Sequence, residues 1–334
     1  MKSHSPFRFV AAVLFVLVIG VSVVATHVES QVSPPFSEKT IPFEEGFRVY
    51  IVPDMEGMGS TVNIWEVIAG NEGERYRDLT SDDYWEHYRS LLTAETNAVI
   101  AGARSAGAES FVVNEGHGGN RFANVLPWEL DPAALLIRGY PKPMVMSTAI
   151  DETFGTMMFT GAHANAGSPG VMAHNYAFAE FAVNGKVLNE IGINALVAGE
   201  MGVSVSMIAG DDVLVAETRE MLGNGVIGIV VKVAVGRNAA ITYSPQRVRE
   251  MLQEAAAEAV RREMVGDFEP FVLDTPYNVE FTLRPSYPES VVEGVDAITE
   301  FGLEKTGERS YRFVTDDARQ IAYLLDAIEL VVLP

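Results

Sequence analysis

The sequence predicts an α/β fold: a three-layer αβα arrangement around a largely parallel or mixed sheet, with a smaller C-terminal α/β portion. Two observations carry this expectation. Short apolar runs rich in β-branched residues alternate with longer segments of helical periodicity, the pattern of a sheet whose crossovers are helices. The 334 residues are 48% hydrophobic and 21% charged, which is enough apolar surface for one large packed domain or two smaller ones.

Taken in order, residues 47–53 form an apolar, β-branched run that reads as a strand. Residues 82–106 read as a helix, with Leu91, Leu92, Ala94, Ala98, Val99 and Ile100 as its apolar positions. Residues 110–114 and 156–160 are the next strands, and 187–201 read as a second helix. Residues 203–210 and 225–235 are short runs apolar enough to be buried strands. Ser244-Pro245 then opens a helix that runs to about Met264, with Ser as N-cap and Pro in the first turn. Residues 277–283 are a further strand, and 316–332 are a closing helix with a mostly apolar face. The chain contains no internal repeat.

Residues 1–30 read as an export signal. Lys2 and Arg8 form a basic start, residues 9–24 are apolar apart from Gly20, and Ala25 and Ser30 offer small residues at which to cut. The apolar stretch is shorter than the ~20 residues of a spanning helix. The expectation is therefore a cleaved leader and an exported protein, periplasmic or secreted, with an uncleaved membrane anchor as the alternative. Residues 31–45, which include Pro34-Pro35, read as a linker. Residues 46–334 are the folded domain, and any subdivision would fall near residue 244. With no cysteine, no disulfide supports this fold. The net charge of −21 repels phosphate and anionic lipid, so nucleic acid is not expected as a partner. A membrane is expected as a partner only if the leader is retained.

The chemistry is concentrated around histidine. Of six histidines, His4 and His27 lie in or just after the leader and His87 lies in the charged helix. The other three stand beside glycines or in turn-like segments: His117 in Asn-Glu-Gly-His-Gly-Gly, and His163 and His174 on either side of Ser168-Pro169-Gly170. Ligands of open α/β sheets bind at the carboxyl ends of the strands. Asp54 and Glu56 follow the first strand, His117 the second and His163 the third. If these strands are parallel neighbours, all four side chains meet at one edge. In an extended segment Asp54 and Glu56 would point the same way. Two carboxylates with two imidazoles suit a divalent metal such as zinc, and they permit a two-metal site. Glu190, at a helix start, is a further candidate ligand. His174, brought back over the site by the Ser-Pro-Gly turn, suits a proton shuttle or oxyanion stabiliser. Each residue also has a plainer reading: a hydrogen-bonding turn histidine, a helix-capping acid or a solvated helix glutamate. Other chemistries lack their parts. There is no Gly-x-Ser-x-Gly elbow, no P-loop and no His-Glu-x-x-His, and cysteine nucleophiles are excluded.

In order along the chain, Asp54-Met-Glu-Gly, Asn114-Glu-Gly-His117, Gly161-Ala-His163, Ser168-Pro-Gly-Val-Met-Ala-His174 and Asn189-Glu190-Ile-Gly-Ile-Asn194-Ala resemble the zinc-dependent D-aminopeptidases of the bacterial dipeptide-transport operon type. The resemblance runs from about Arg48 to the C-terminus. It implies two zinc ions per chain held by Asp54, Glu56, His117, His163 and Glu190, with His174 as the catalytic histidine. It also implies hydrolysis of N-terminal residues, often D-amino acids, from short peptides or amides by a metal-activated water. A further implication is a homo-oligomeric ring, decameric in one arrangement, whose active sites face an inner cavity. Two positions depart from the family pattern: Val52 where Ser is frequent, and Glu115 where Asp is expected. The alternatives are a metallohydrolase of another small amide or ester, and a non-catalytic peptide- or metal-binding protein.

Overall fold

The computed structural model describes residues 46–68, 82–298 and 301–332. The expected leader and linker, residues 1–45, lie outside the described residues. The strands are β1 (Phe47–Pro53), β2 (Ala108–Asn114), β3 (Ala134–Ile137), β4 (Thr156–Thr160), β5 (Phe178–Val183), β6 (Lys186–Val187), β7 (Ser204–Asp211), β8 (Ile227–Gly236), β9 (Ala239–Thr242), β10 (Tyr277–Leu283), β11 (Glu304–Lys305) and β12 (Ser310–Thr315). The α-helices are α1 (Asp82–Ser105), α2 (Glu190–Glu200), α3 (Asp212–Leu222), α4 (Pro245–Glu263), α5 (Glu289–Asp296) and α6 (Ala318–Val332).

Seven strands form the main sheet in the order β3-β2-β1-β4-β7-β8-β9. All neighbours pair in parallel except β8 and β9, which form an antiparallel edge. Successive side chains of a strand point to opposite faces, and β1 illustrates the consequence. Val49 and Ile51 belong to one apolar cluster, with Leu92 and Val99 of α1 and Val248 and Leu252 of α4. Tyr50 and Val52 belong to the other, with Leu196 of α2, Leu214 of α3 and Leu325 of α6. Helices therefore cover both faces, and the three-layer α/β expectation holds.

A second, five-stranded antiparallel sheet has the order β11-β12-β10-β5-β6. An aromatic stack holds it together. Phe281 lies 5.0 Å from Phe178 and 5.3 Å from Tyr311, measured between ring centroids. The smaller portion is thus not purely C-terminal, because β5 and β6 reach it from well before residue 244. The expected helix over 187–201 also starts later. Val187 belongs to β6, and Asn189 caps α2 by accepting from the Gly192 amide at 2.9 Å.

Candidate active site

The parallel order β2-β1-β4 brings three carboxyl ends to one edge of the main sheet. Asp54 follows β1, His117 lies three residues beyond β2 and His163 three beyond β4. The segment after β1 is a turn, so the condition under which Asp54 and Glu56 would point the same way as strand neighbours is not met: the Met58 amide folds back to the Met55 carbonyl at 3.3 Å. The turn packs tightly against the segment after β4. The Asp54 amide donates to the Thr160 carbonyl at 2.8 Å, and the Gly57 amide to the Gly161 carbonyl at 2.6 Å. A Cβ on Gly57 would sit 1.8 Å from the Ala162 carbonyl oxygen. At Gly161 φ is +71° and a Cβ would meet the Asp54 carbonyl oxygen at 1.9 Å. Only glycine allows the two segments this approach.

Asp54, Glu56, His117, His163 and Glu190 are all buried, and the structure brings all five together. Glu56 Oε2 lies 2.9 Å and Asp54 Oδ1 3.4 Å from His117 Nδ1. Asp54 Oδ2 lies 3.6 Å and Glu190 Oε2 3.5 Å from His163 Nε2. Glu190 enters from the first residue of α2, where its other oxygen accepts from the Tyr176 amide at 2.5 Å. His174 lies over the group. Its ring stacks on that of His163 at 3.8 Å, and its Nε2 is 3.8 Å from Glu56 Oε1. Its backbone amide reaches the Ala164 carbonyl at 3.1 Å, so the turn around Ser168 does fold the chain back.

Each imidazole is oriented by a backbone carbonyl. His117 Nε2 is 2.5 Å from the Val67 carbonyl, His163 Nδ1 is 3.1 Å from that of Ala164, and His174 Nδ1 is 2.8 Å from that of Met172. Donation to these carbonyls fixes the tautomer and leaves the second nitrogen of each ring facing carboxylates. Oriented imidazoles of this kind are characteristic of metal ligands. A neutral ring would there set lone pair against lone pair, so the group requires positive charge between its members. The donors fall into two sets, Asp54-Glu56-His117 and His163-His174-Glu190. Asp54 faces both histidines of the first five, one with each oxygen.

The electrostatics express the same demand. Burial raises the Asp54 carboxyl and Glu56 raises it further, to about 7, against the pull of His117 and His163. Burial also works to raise Glu56 and Glu190, but His117 and His163 respectively outweigh it, and both carboxyls lie below their ordinary value. Burial disfavours the charged form of His117 and His163. Facing carboxylates reverse this, lifting His117 well above its usual value and His163 to about 10. His174 goes the other way, down to about 4, because burial and the neighbouring His163 both oppose a proton on it.

Several supporting residues were not assigned a role from sequence. Lys232 is wholly buried, and its Nζ donates to the carbonyls of Glu56 (2.5 Å), Met58 (3.0 Å) and Thr61 (2.6 Å). The signal was present, since a lysine interrupts the apolar β8 run Ile-Val-Val-Lys-Val-Ala-Val. Lys232→Met should lower unfolding free energy by at least about 3 kcal/mol, because three buried carbonyls lose their donor. Urea denaturation reads this directly, and an unchanged midpoint would contradict it. Lys142 similarly ties down the strand end before His117. It donates to Asn114 Oδ1 at 2.5 Å and to the Glu115 carbonyl. The Glu115 carboxylate itself receives the Asn124 and Val125 amides.

A family model described as D-aminopeptidase matches residues 47–327. The chain belongs to the D-aminopeptidase family. It is a hydrolase of the metallo-aminopeptidase class, consistent with the clustered donors. A D-aminopeptidase of Bacillus subtilis strain 168 is 34% identical over 218 residues, which cover 65% of this chain and 74% of that protein. The solved structure of the zinc-dependent D-aminopeptidase DppA from Bacillus subtilis, described as a self-compartmentalizing protease, is also similar. It superposes with a TM-score of 0.72 at 28% identity, over 86% of this chain and 97% of that one. This family member thus shares the fold of a known zinc peptidase over nearly all of that peptidase's length.

Proposed function

We propose that this member of the family is an exported D-aminopeptidase that holds two zinc ions per chain and releases N-terminal D-residues from short peptides or amides. The observation that carries the reading is the orientation of the buried histidines, each tied through one nitrogen to a backbone carbonyl and turned through the other toward carboxylates. Asp54, Glu56 and His117 would hold one ion, and His163 and Glu190 the other, with Asp54 between them because its oxygens face both histidines. Bound zinc supplies Lewis acidity that polarises the scissile carbonyl and acidifies water. His174 is the proton carrier. Its Nδ1 is committed to Met172, while its Nε2 faces the cavity and can take a proton from the attacking water and pass it to the leaving amine.

The cavity holding these residues is about 760 Å³, a volume that suits small ligands. The self-compartmentalizing relative supports a homo-oligomer here too. Turnover of D-Ala and L-Ala p-nitroanilides and of D-Ala-D-Ala, before and after chelation, tests the reading. Chelator-sensitive turnover that favours the D-substrates is expected. Equal turnover of the L-substrate would remove the stereochemical part, and no turnover of any would remove the activity.

Export rests on the sequence of residues 1–30. Expressed with its leader in a Gram-negative host, the protein should appear in the periplasm with a new N-terminus just after Ala25 or Ser30, as N-terminal sequencing would report. A cytoplasmic protein that retains Met1 would contradict export.

A further inference from the structure

One wall of the same cavity carries a carboxylate to which the proposed chemistry gives no task. Glu329 lies on α6 and is only 7% exposed. It lines the cavity together with Glu190, His174, Arg284 and Tyr287. Among the described residues it has no hydrogen bond and no ion pair. Burial raises its carboxyl to about 7, with Glu190 adding to the effect and Arg284 opposing it. Arg284 is near enough to favour the ionised form of Glu329 and to disfavour a proton on His174, but it forms no ion pair with Glu329, and its buried Nε has no hydrogen-bond partner. A buried carboxylate without a partner is costly to keep, and the cost is recovered when a cation fills the position.

The cation an aminopeptidase must recognise is the free α-ammonium of its substrate, one bond from the carbon that bears the scissile carbonyl. We infer that Glu329 receives this α-ammonium, so that the C-terminal helix selects substrates with a free amino end. The inference rests on the aminopeptidase reading above. Glu329 is then a specificity-determining residue, in contact with substrate but outside the metal-holding set. Arg284 is the neighbouring charge that favours the ionised form of Glu329 without neutralising it by pairing. The geometry also accounts for a buried glutamate on a helix that packs into the core. Its neighbours Leu325 and Ile328 are fully buried in the core, whereas Glu329 opens onto the cavity.

The test compares two ligands that differ only in the α-amino group: D-alanine hydroxamate and propionohydroxamate. Both present the same metal-seeking head. Their affinities are measured by isothermal titration calorimetry on zinc-loaded wild-type protein, E329Q and E329D, with zinc content checked for each. Wild type should bind the amino compound more tightly by about 10- to 100-fold, the range of one charge-assisted hydrogen bond. E329Q should bring that ratio close to one while leaving propionohydroxamate affinity unchanged, and E329D should restore part of it. A ratio that survives E329Q, or an equal loss for both ligands, would overturn the role of Glu329 and leave the aminopeptidase reading standing. Wild-type protein that binds neither hydroxamate would overturn both.

Discussion

His174→Ala should lower kcat by about 100- to 10,000-fold, the range contributed by a positioned acid or base, and should leave two zinc ions per chain. The two halves of this expectation have separate grounds. The ring is fixed by the Met172 carbonyl at 2.8 Å and by stacking on His163, so its Nε2 is held in one direction. Burial and His163 keep it unprotonated near neutral pH, and cations nearby would only strengthen that preference. It is therefore a neutral imidazole that presents the lone pair of Nε2. The side chain is 27% exposed, unlike the enclosed group of five, and its nearest carboxylate oxygen is 3.8 Å away. Removal should therefore spare the metals. Zinc analysis beside steady-state kinetics separates the roles. Loss of one zinc would make His174 a ligand, and full turnover would end its catalytic assignment.

Asp54→Asn should do broader damage, releasing both ions and reducing activity at least about 100-fold, since several kcal/mol of electrostatic stabilisation disappear. Asn keeps the shape of the side chain but removes its charge and replaces one acceptor with a donor. In Asp54 each oxygen has its own histidine, at 3.4 and 3.6 Å, so neither half of the site is independent of it. His117→Ala offers the contrast. It disrupts one donor set and should lower zinc from two to about one. Two zinc ions retained in Asp54→Asn would contradict the shared position of that carboxylate.

Much of this site was legible because its residues lie just beyond strands, where the sequence signal is strongest. The β1 and β4 runs are apolar and β-branched or buried throughout, and their ends are marked by the turns that carry Asp54 and His163. Elements with weaker signals were missed. β3 is only four residues long and half-buried, so it has no clear period. In β5 the exposed residues Ala179 and Glu180 are adjacent, which breaks the alternation expected of a strand. α3 and β12 did carry readable signals. Asp211 caps α3 by accepting from the Leu214 amide at 2.8 Å, and Tyr311 and Phe313 alternate inward along β12. The second sheet was out of reach of local patterns because its central pairing, β5 with β10, joins segments far apart in sequence. Lys232 is a single charge inside an apolar strand and Glu329 a buried charge on α6, and what they face is decided by tertiary packing alone.

The central claim is that two zinc ions are held at the carboxyl edge of β2-β1-β4. Anomalous difference density collected at the zinc edge from crystals of the zinc-loaded protein tests it most directly. Two peaks per chain are expected, one bounded by Asp54, Glu56 and His117 and one by Asp54, His163 and Glu190. A single peak, or peaks away from these side chains, would contradict the account.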